Sequence, residues 1–542
     1  MKLIKNTSRL TEIITTFARY GFSPWIDKIK LSKYIDSHHP SISTSELAKI
    51  PLPDRLKFAF ETLGPTFVKF GQILASRSDL LPESFIDAFG RLHDQVTPQP
   101  FERIQQVLAK ELGNKINDFE SIDPLCLGSA SVAQVHRARL KDGSRLVLKI
   151  QKPEVVETIR EDLDLLAFVA QLLHRHVEEL KSLNLPDLVD EFAQALAQET
   201  IFFLEANNIR KFKNLFPSEN PYQLKIANVY WNYTTHKVLA LEEIEGWPLS
   251  HPQAAAPSEG RDQLAAAILR NYLTQVFVHG FFHGDLHPGN VLILPHGGWA
   301  LIDFGVAGRL GLKTKMAIIK MLRALAQEDY YQLANEYVFL SPYSDRLVPD
   351  RFAEGLARTI SPYYGLNLNN INTGSLLLKT ARLAYQEGLQ IPRELLLFFK
   401  SLVGIESIIR RLSPQFDFLS EALQFVQSLD HQVITQEEWK KHLFLLAQES
   451  EHLIKELPRQ IHLYLKKITS AHYEEKAGGS GFQAIENGLR KIALAIFWGT
   501  ALLSISILTG LLLVFSKDLP PNLIFMLTLG ITAVFIYGYF KI

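Results

Sequence analysis

The sequence predicts an α+β chain that ends in two membrane helices, and three observations predict it. Apolar runs on either side of Asp142-Gly143 read as a β-hairpin, and a second short hairpin is read between Val291 and Ile302. Long stretches with helically spaced leucines separate and follow these hairpins. Near the C-terminal end, Ile492–Phe515 carries no charge for 24 residues, enough to cross roughly 30 Å of hydrocarbon as a helix.

Composition narrows the function classes. The 542 residues include 57 Lys+Arg and 57 Asp+Glu, a net charge of +0, so no whole-molecule field gathers nucleic acid. With 47% hydrophobic and 21% charged residues the chain can bury a sizeable core. Cys126 is the one cysteine, which excludes an internal disulfide and any multi-cysteine zinc or iron–sulfur site. The N-terminus MKLIKNTSRLTEI has neither an apolar core nor a cleavage site of the secretory type. No repeat of fixed period is evident.

The run Leu127, Gly128, Ser129, Ala130, Ser131, Val132, Ala133, Gln134 and Val135 begins with small residues and becomes strand-like. Small residues let backbone N–H groups approach phosphates, and Lys149, on the second strand of the hairpin, can pair with them. Pro186 to Leu215 reads as one long helix, with Leu188, Phe192 and Leu196 on an apolar stripe. Its Glu199 and Glu205 lie about 240° apart around such a helix and should meet different neighbours, one of them Lys149. Two solvated glutamates are the plain alternative.

Asp285 and Asn290 are five residues apart, and Asp303 opens a DFG triplet 18 residues after Asp285. This is the order and spacing of a kinase constellation, with an acid for the acceptor and two Mg²⁺ ligands. An iron triad of His283, Asp285 and His287 is an alternative that leaves Asn290 and Asp303 without a task. Histidines that cap and pack the loop fit either reading. From Ser341 to Glu475 the pattern is helical, and no chemistry is legible in it.

The tail continues beyond Phe515 with a turn containing Pro520 and Pro521 and a second apolar run, Leu523–Phe540. Arg490, Lys491 and Lys541 flank the pair, which places both outer ends on the cytoplasmic side. A buried core hairpin is the competing reading.

Taken together, these pieces resemble the UbiB family of atypical kinase-like proteins. Leu63–Pro82 looks like that family's KxGQ signature, with Lys69, Gly71 and Gln72 in place; GSASVAQVH and HGDLHPGN look like its small-residue loop and catalytic loop. The resemblance implies a two-lobed kinase-like fold with a helical KxGQ extension over the cleft. It implies domains at 1–120, 121–248 and 249–430, a juxtamembrane segment 431–491 and a hairpin 492–542. Lys149 and Glu205 would position phosphates, Asp285 would be the catalytic-loop acid, and Asn290 and Asp303 would hold Mg²⁺. Residues 127–135 would cradle ATP. Glu199, in the family's ExD motif, would engage Lys69; the third ExD position is Ile201 here, which departs from the pattern.

The function implied is Mg²⁺-ATP-dependent support of ubiquinone biosynthesis at the bacterial inner membrane, with the body in the cytoplasm. The implied partners are membrane lipid, prenylated quinone precursors and ubiquinone-pathway enzymes, with no nucleic acid; a homodimer is compatible with it. A true protein kinase, a hydroxylase and a nucleotide-sensing scaffold are the alternatives.

Overall fold

A computed structural model describes residues 7–428 except 36–48, 76–80, 93–96, 218, 250, 252–259, 342–348 and 364–371. The segments expected to span a membrane, Ile492–Phe515 and Leu523–Phe540, lie outside the described residues. Within the described residues no helix is long and apolar enough to cross a membrane.

An all-helical extension comes first. Helices α1 (Thr7–Phe17), α2 (Ser23–Lys28), α3 (Leu52–Leu63), α4 (Pro65–Ala75) and α5 (Glu83–Gly90) bury a shared apolar core. Gly71 is the point of closest packing in α4, where a Cβ would meet Leu92 Cδ1 at 2.3 Å. The extension is latched to the body by Arg9, whose Nε donates to Asp162 Oδ1 at 2.8 Å and whose Nη2 donates to the Leu63 carbonyl.

Next, α6 (Phe101–Leu112) packs on a four-stranded sheet ordered β1 (Phe119–Ser129), β2 (Ala133–Leu140), β3 (Arg145–Gln151) and β5 (Val238–Glu242). The Asp142-Gly143 turn closes β2 on β3 as expected, with antiparallel pairing from Ala133↔Gln151 to Arg139↔Arg145. Leu146, Leu148 and Ile150 are fully buried against α6, about 1.5–3 kcal/mol each. The two-residue period then aims Lys149 at the opposite face. Strand β1 has no alternation legible in the sequence; it contains Pro124 and pairs irregularly along the sheet edge.

Helices α7 (Val155–His176), α8 (Leu185–Glu199) and α9 (Phe202–Leu215) follow. The single helix expected over 186–215 is therefore two. Ile201 is extended (φ −107°, ψ 92°), and the side chain of Gln151 on β3 donates to the Thr200 carbonyl at 3.1 Å. That carbonyl is thus taken out of the helical ladder by a residue remote in sequence.

The remainder is mainly helical. A second four-stranded sheet runs β4 (Leu224–Ile226), β9 (Trp299–Leu301), β8 (Val291–Ile293) and β6 (Trp247–Pro248), and β7 (Phe281–His283) pairs with β10 (Ala307–Arg309). The β8–β9 hairpin is the one expected. Around these strands lie α10 (Arg261–Leu273), α11 (Leu312–Ala326), α12 (Tyr330–Leu340), α13 (Pro349–Ile360), α14 (Thr373–Gln386), α15 (Arg393–Leu412) and α16 (Phe418–Ser428).

One face of α15 lies directly on the loop after β7. Leu397 contacts the position a Gly284 Cβ would occupy, and a Cβ on Gly404 would stand 1.8 Å from the Leu286 carbonyl oxygen. Backbone on the far side of that contact leaves no flexible atom to yield. Gly404→Ala should therefore destabilise the protein by at least about 2 kcal/mol, read by thermal and denaturant melting, whereas Gly311→Ala, with open space around it, should change stability by less than about 1 kcal/mol.

Candidate active site

The centre of the site is a partly buried charge cluster contributed by three elements. Lys149 Nζ on β3 donates to both oxygens of Glu205, at 3.0 and 2.8 Å, and stands 3.4 Å from Asp303 Oδ2. Glu205 sits in the first turn of α9 and is only 5% exposed, which rules out the solvated reading. Burial would lower the Lys149 ammonium, but the two carboxylates more than offset it and hold its pKa well above the ordinary lysine value. Burial pushes Glu205 up, aided by Asp303 and opposed by Lys149. For Asp303 burial works upward, yet Lys149 and the Gly305 N–H, which donates to Oδ1 at 2.8 Å, hold the carboxyl at about 2.

Packing locks these groups together. Asn208 Nδ2 on α9 donates to the Phe304 carbonyl at 2.9 Å, and Phe304 lies buried between the rings of Phe212 and His283. The helix bearing Glu205 and the segment bearing Asp303 therefore move as one piece.

His283 joins the two acidic segments. Its Nε2–H donates to the Asp303 carbonyl, and its Nδ1 accepts the Asp285 backbone N–H at 3.2 Å. Burial lowers its pKa and keeps the ring neutral. With both nitrogens engaged it has none to offer iron, which removes the triad reading. His287 accepts the Gly289 N–H at the start of a short turn, so both histidines cap and pack the loop.

Asn290 donates through Nδ2 to the Asp285 carbonyl at 3.2 Å, leaving its side-chain oxygen for another partner. That oxygen and the ionised Asp303 form a sparse all-oxygen donor set. It fits Mg²⁺, which uses one or two protein ligands together with waters and phosphates. No group of three or more His, Cys, Asp or Glu among the described residues is arranged to hold a metal.

The two glutamates do meet different partners. Glu199, at the end of α8, accepts from Lys69 at 3.1 Å, while Glu205 takes Lys149; the break at Ile201, rather than rotation along one helix, separates them. Lys69 and Gln72 share α4, but Gln72 donates to the Leu92 carbonyl at 3.3 Å within the extension. Lys69 is near enough to the catalytic loop to help lower Asp285.

The small-residue run is divided by the structure. Leu127, Gly128 and Ser129 belong to the end of β1, and the turn itself is Ala130, Ser131 and Val132, closed by Ala130 N–H to the Ala133 carbonyl at 2.9 Å. Val132 packs into the core of the extension, so the turn is held against α4's layer. Val135 is the cross-strand neighbour of Lys149. Gln134 is buried and committed to the Gln99 backbone and to His136, which takes its side chain out of the cradle.

Sequence reasoning missed Lys400. On α15, within the stretch where no chemistry is legible, its Nζ stands 2.9 Å from Asp285 Oδ1. Burial would raise the Asp285 carboxyl; Lys400, with His287 and Lys69 behind it, more than offsets this and holds it below the ordinary range. No local pattern marks Lys400. Its link to the loop comes from its helical phase with Leu397 and Gly404.

Removing Lys149 leaves Glu205 buried without its cation. Lys149→Ala should cost about 3 kcal/mol or more, and Lys149→Met with Glu205→Leu should recover most of it. The burial-raised carboxyl of Glu205 then favours the protonated fold. The stability deficit of Lys149→Ala relative to wild type, measured by melting across pH, should shrink as pH falls toward the carboxylate range and grow as pH rises.

Comparison with known proteins bears on the family. Residues 91–337 match the ABC1 atypical kinase-like domain and residues 356–417, which include Lys400 and Gly404, match the UbiB helical domain. A protein of Marinobacter nauticus named probable protein kinase UbiB is 32% identical over 385 residues, 70% of each chain. A relative in Clostridium pasteurianum, known as an uncharacterized protein in the hydrogenase 1 5' region, is 31% identical over 78% of this chain and 76% of its own. Among solved structures, an erythromycin complex from Mycobacterium tuberculosis covers 64% of this chain and 91% of that one, at 23% identity and a TM-score of 0.42. The chain belongs to the UbiB family of atypical kinase-like proteins.

Proposed function

We propose that this chain is a membrane-anchored, Mg²⁺-ATP-dependent member of the family that supports ubiquinone biosynthesis. It would do so by handling or presenting prenylated phenol intermediates to the pathway's soluble enzymes. The observation that carries the reading is the Lys149–Glu205–Asp303 cluster, in which a strand, a helix and the DFG segment each contribute one charge.

In this reading Lys149, positioned by Glu205, pairs with nucleotide phosphates above the Leu127–Val135 run. Asn290 and Asp303 hold Mg²⁺, which when bound neutralises charge on the phosphates. Asp285 orients the attacking oxygen, and the uncharged run Ile492–Phe515 supplies the anchor.

ATP hydrolysis is favoured over protein phosphorylation by one observation. Asp285 is paired with Lys400 and close to Lys69, two cations from elements that cover the loop, so a water reaches it more readily than a protein hydroxyl. An incoming protein substrate, bringing the hydroxyl that would accept the phosphoryl group, would have to displace the extension.

Asp303→Asn should abolish Mg²⁺-dependent nucleotide turnover and leave a deletion strain with depleted ubiquinone, measured by quinone-lipid profiling. Normal quinone levels with this variant would refute the reading. Lys400→Met removes a cation that depresses Asp285, so the carboxyl rises and the acid limb of the turnover profile should move to higher pH. Lys400→Arg should restore the limb, which a purely structural role would not require.

A further inference from the structure

The helical extension and helices α7 and α8 of the body together line an apolar cavity of about 510 Å³ that is open on one side. Its wall is drawn from α1 (Ile13, Ile14), α4 (Phe67, Phe70), α7 (Ala170) and α8 (Val189), with other apolar side chains between them. Glu179 is the one charged residue on the wall; it is exposed and paired with Lys28 at 3.1 Å. Deeper in, Phe67, Ile13, Ile14 and Val189 are each no more than 3% exposed.

Three kinds of occupant are conceivable, and physical chemistry separates them. Water needs two to four polar partners, and this wall supplies none away from Glu179. Left without a guest, the recess either exposes its apolar lining to water or leaves that lining without contacts on one side, and both are unfavourable. A hydrocarbon guest removes both difficulties. An apolar cavity of about 150 Å³ accepts one benzene, so this one accommodates roughly 20 carbon atoms, the size of a long acyl chain or of four isoprene units. Its volume and apolar lining are also those of an ordinary ligand pocket.

We infer that this cavity is a binding site for the hydrocarbon tail of a single lipid, with the polar head at the Glu179–Lys28 mouth. The inference deepens the proposed lipid-handling function and rests on it for the choice of a lipid guest. The site lies between the extension and helices α7 and α8 rather than in the nucleotide cleft, and two of its walls also carry the Lys69–Glu199 pair. Helix α4 turns Phe67 and Phe70 to the cavity and Lys69 to Glu199, and α8 turns Leu188 and Val189 to the cavity while ending at Glu199. A bound tail would brace both partners of that ion pair.

The test uses full-length protein in nanodiscs with two diazirine probes, one on a C20 isoprenoid alcohol and one on palmitic acid. Crosslinks are mapped by mass spectrometry in wild type and in Ala170→Phe and Val189→Phe. Both variants should cut labelling of the cavity wall at least tenfold, leave nucleotide binding unchanged, and match or exceed the wild-type melting temperature. Competition by the unlabelled alcohol or acid identifies the tail as isoprenoid or acyl. Equal wall labelling in wild type and both variants, or wild-type labelling confined to residues 492–540, would overturn the inference. Should either variant fail to fold, the wild-type crosslink map alone decides it. Nucleotide binding is read in the same samples, so loss of the ATP function and loss of the tail site give different results.

Discussion

The ammonium of Lys149, held between Glu205 and Asp303, is the contact on which the rest of the site depends. A strand, a helix and the DFG segment meet at this one cation, and the buried Glu205 would be left uncompensated if Lys149 moved away. The cluster has two carboxylates for one ammonium, so it keeps a surplus negative charge at Asp303. That surplus suits a cation, and the low pKa of Asp303 keeps its carboxylate ionised at any physiological pH. Apolar packing enforces the same geometry: Phe304 between Phe212 and His283 fixes the DFG segment to the helix that bears Glu205.

Two elements outside the matched kinase-like domain bring cations toward Asp285. Helix α4 brings Lys69, tied to Glu199, and helix α15 brings Lys400 to Asp285. Each cation is placed by a glycine that permits close approach, Gly71 against Leu92 and Gly404 against the Leu286 carbonyl. In the KxGQ segment the lysine faces the cleft, while the glycine and glutamine secure the helix to its own layer. The signature thus combines one electrostatic residue with two packing residues, and Val132 carries the same layer into the small-residue turn.

The extension has a second aspect. With α7 and α8 it lines a large apolar cavity, and two of the walling helices, α4 and α8, bear the Lys69–Glu199 pair. Apolar contacts on one face of α4 and a charged contact on the other join the cavity wall to the Lys69–Glu199 pair.

Parts of the fold and site whose signals are local are legible in the sequence. The Asp142-Gly143 hairpin follows from turn chemistry, the exposure of Lys149 to the cleft from strand alternation, and the grouping of Asp285, Asn290 and Asp303 from spacing within one loop and hairpin. It also marked Glu199 and Glu205 as having different partners, although the break between their helices depends on Gln151 capturing the Thr200 carbonyl. Strand β1 stayed hidden because an edge strand with a proline and exposed side chains has no period to read. Lys400, the commitment of Gln134 to the Gln99 backbone, and the cavity were decided by tertiary structure alone. Each arises where elements distant in the chain pack together, and side-chain phase between two such elements leaves no trace in either one's own sequence.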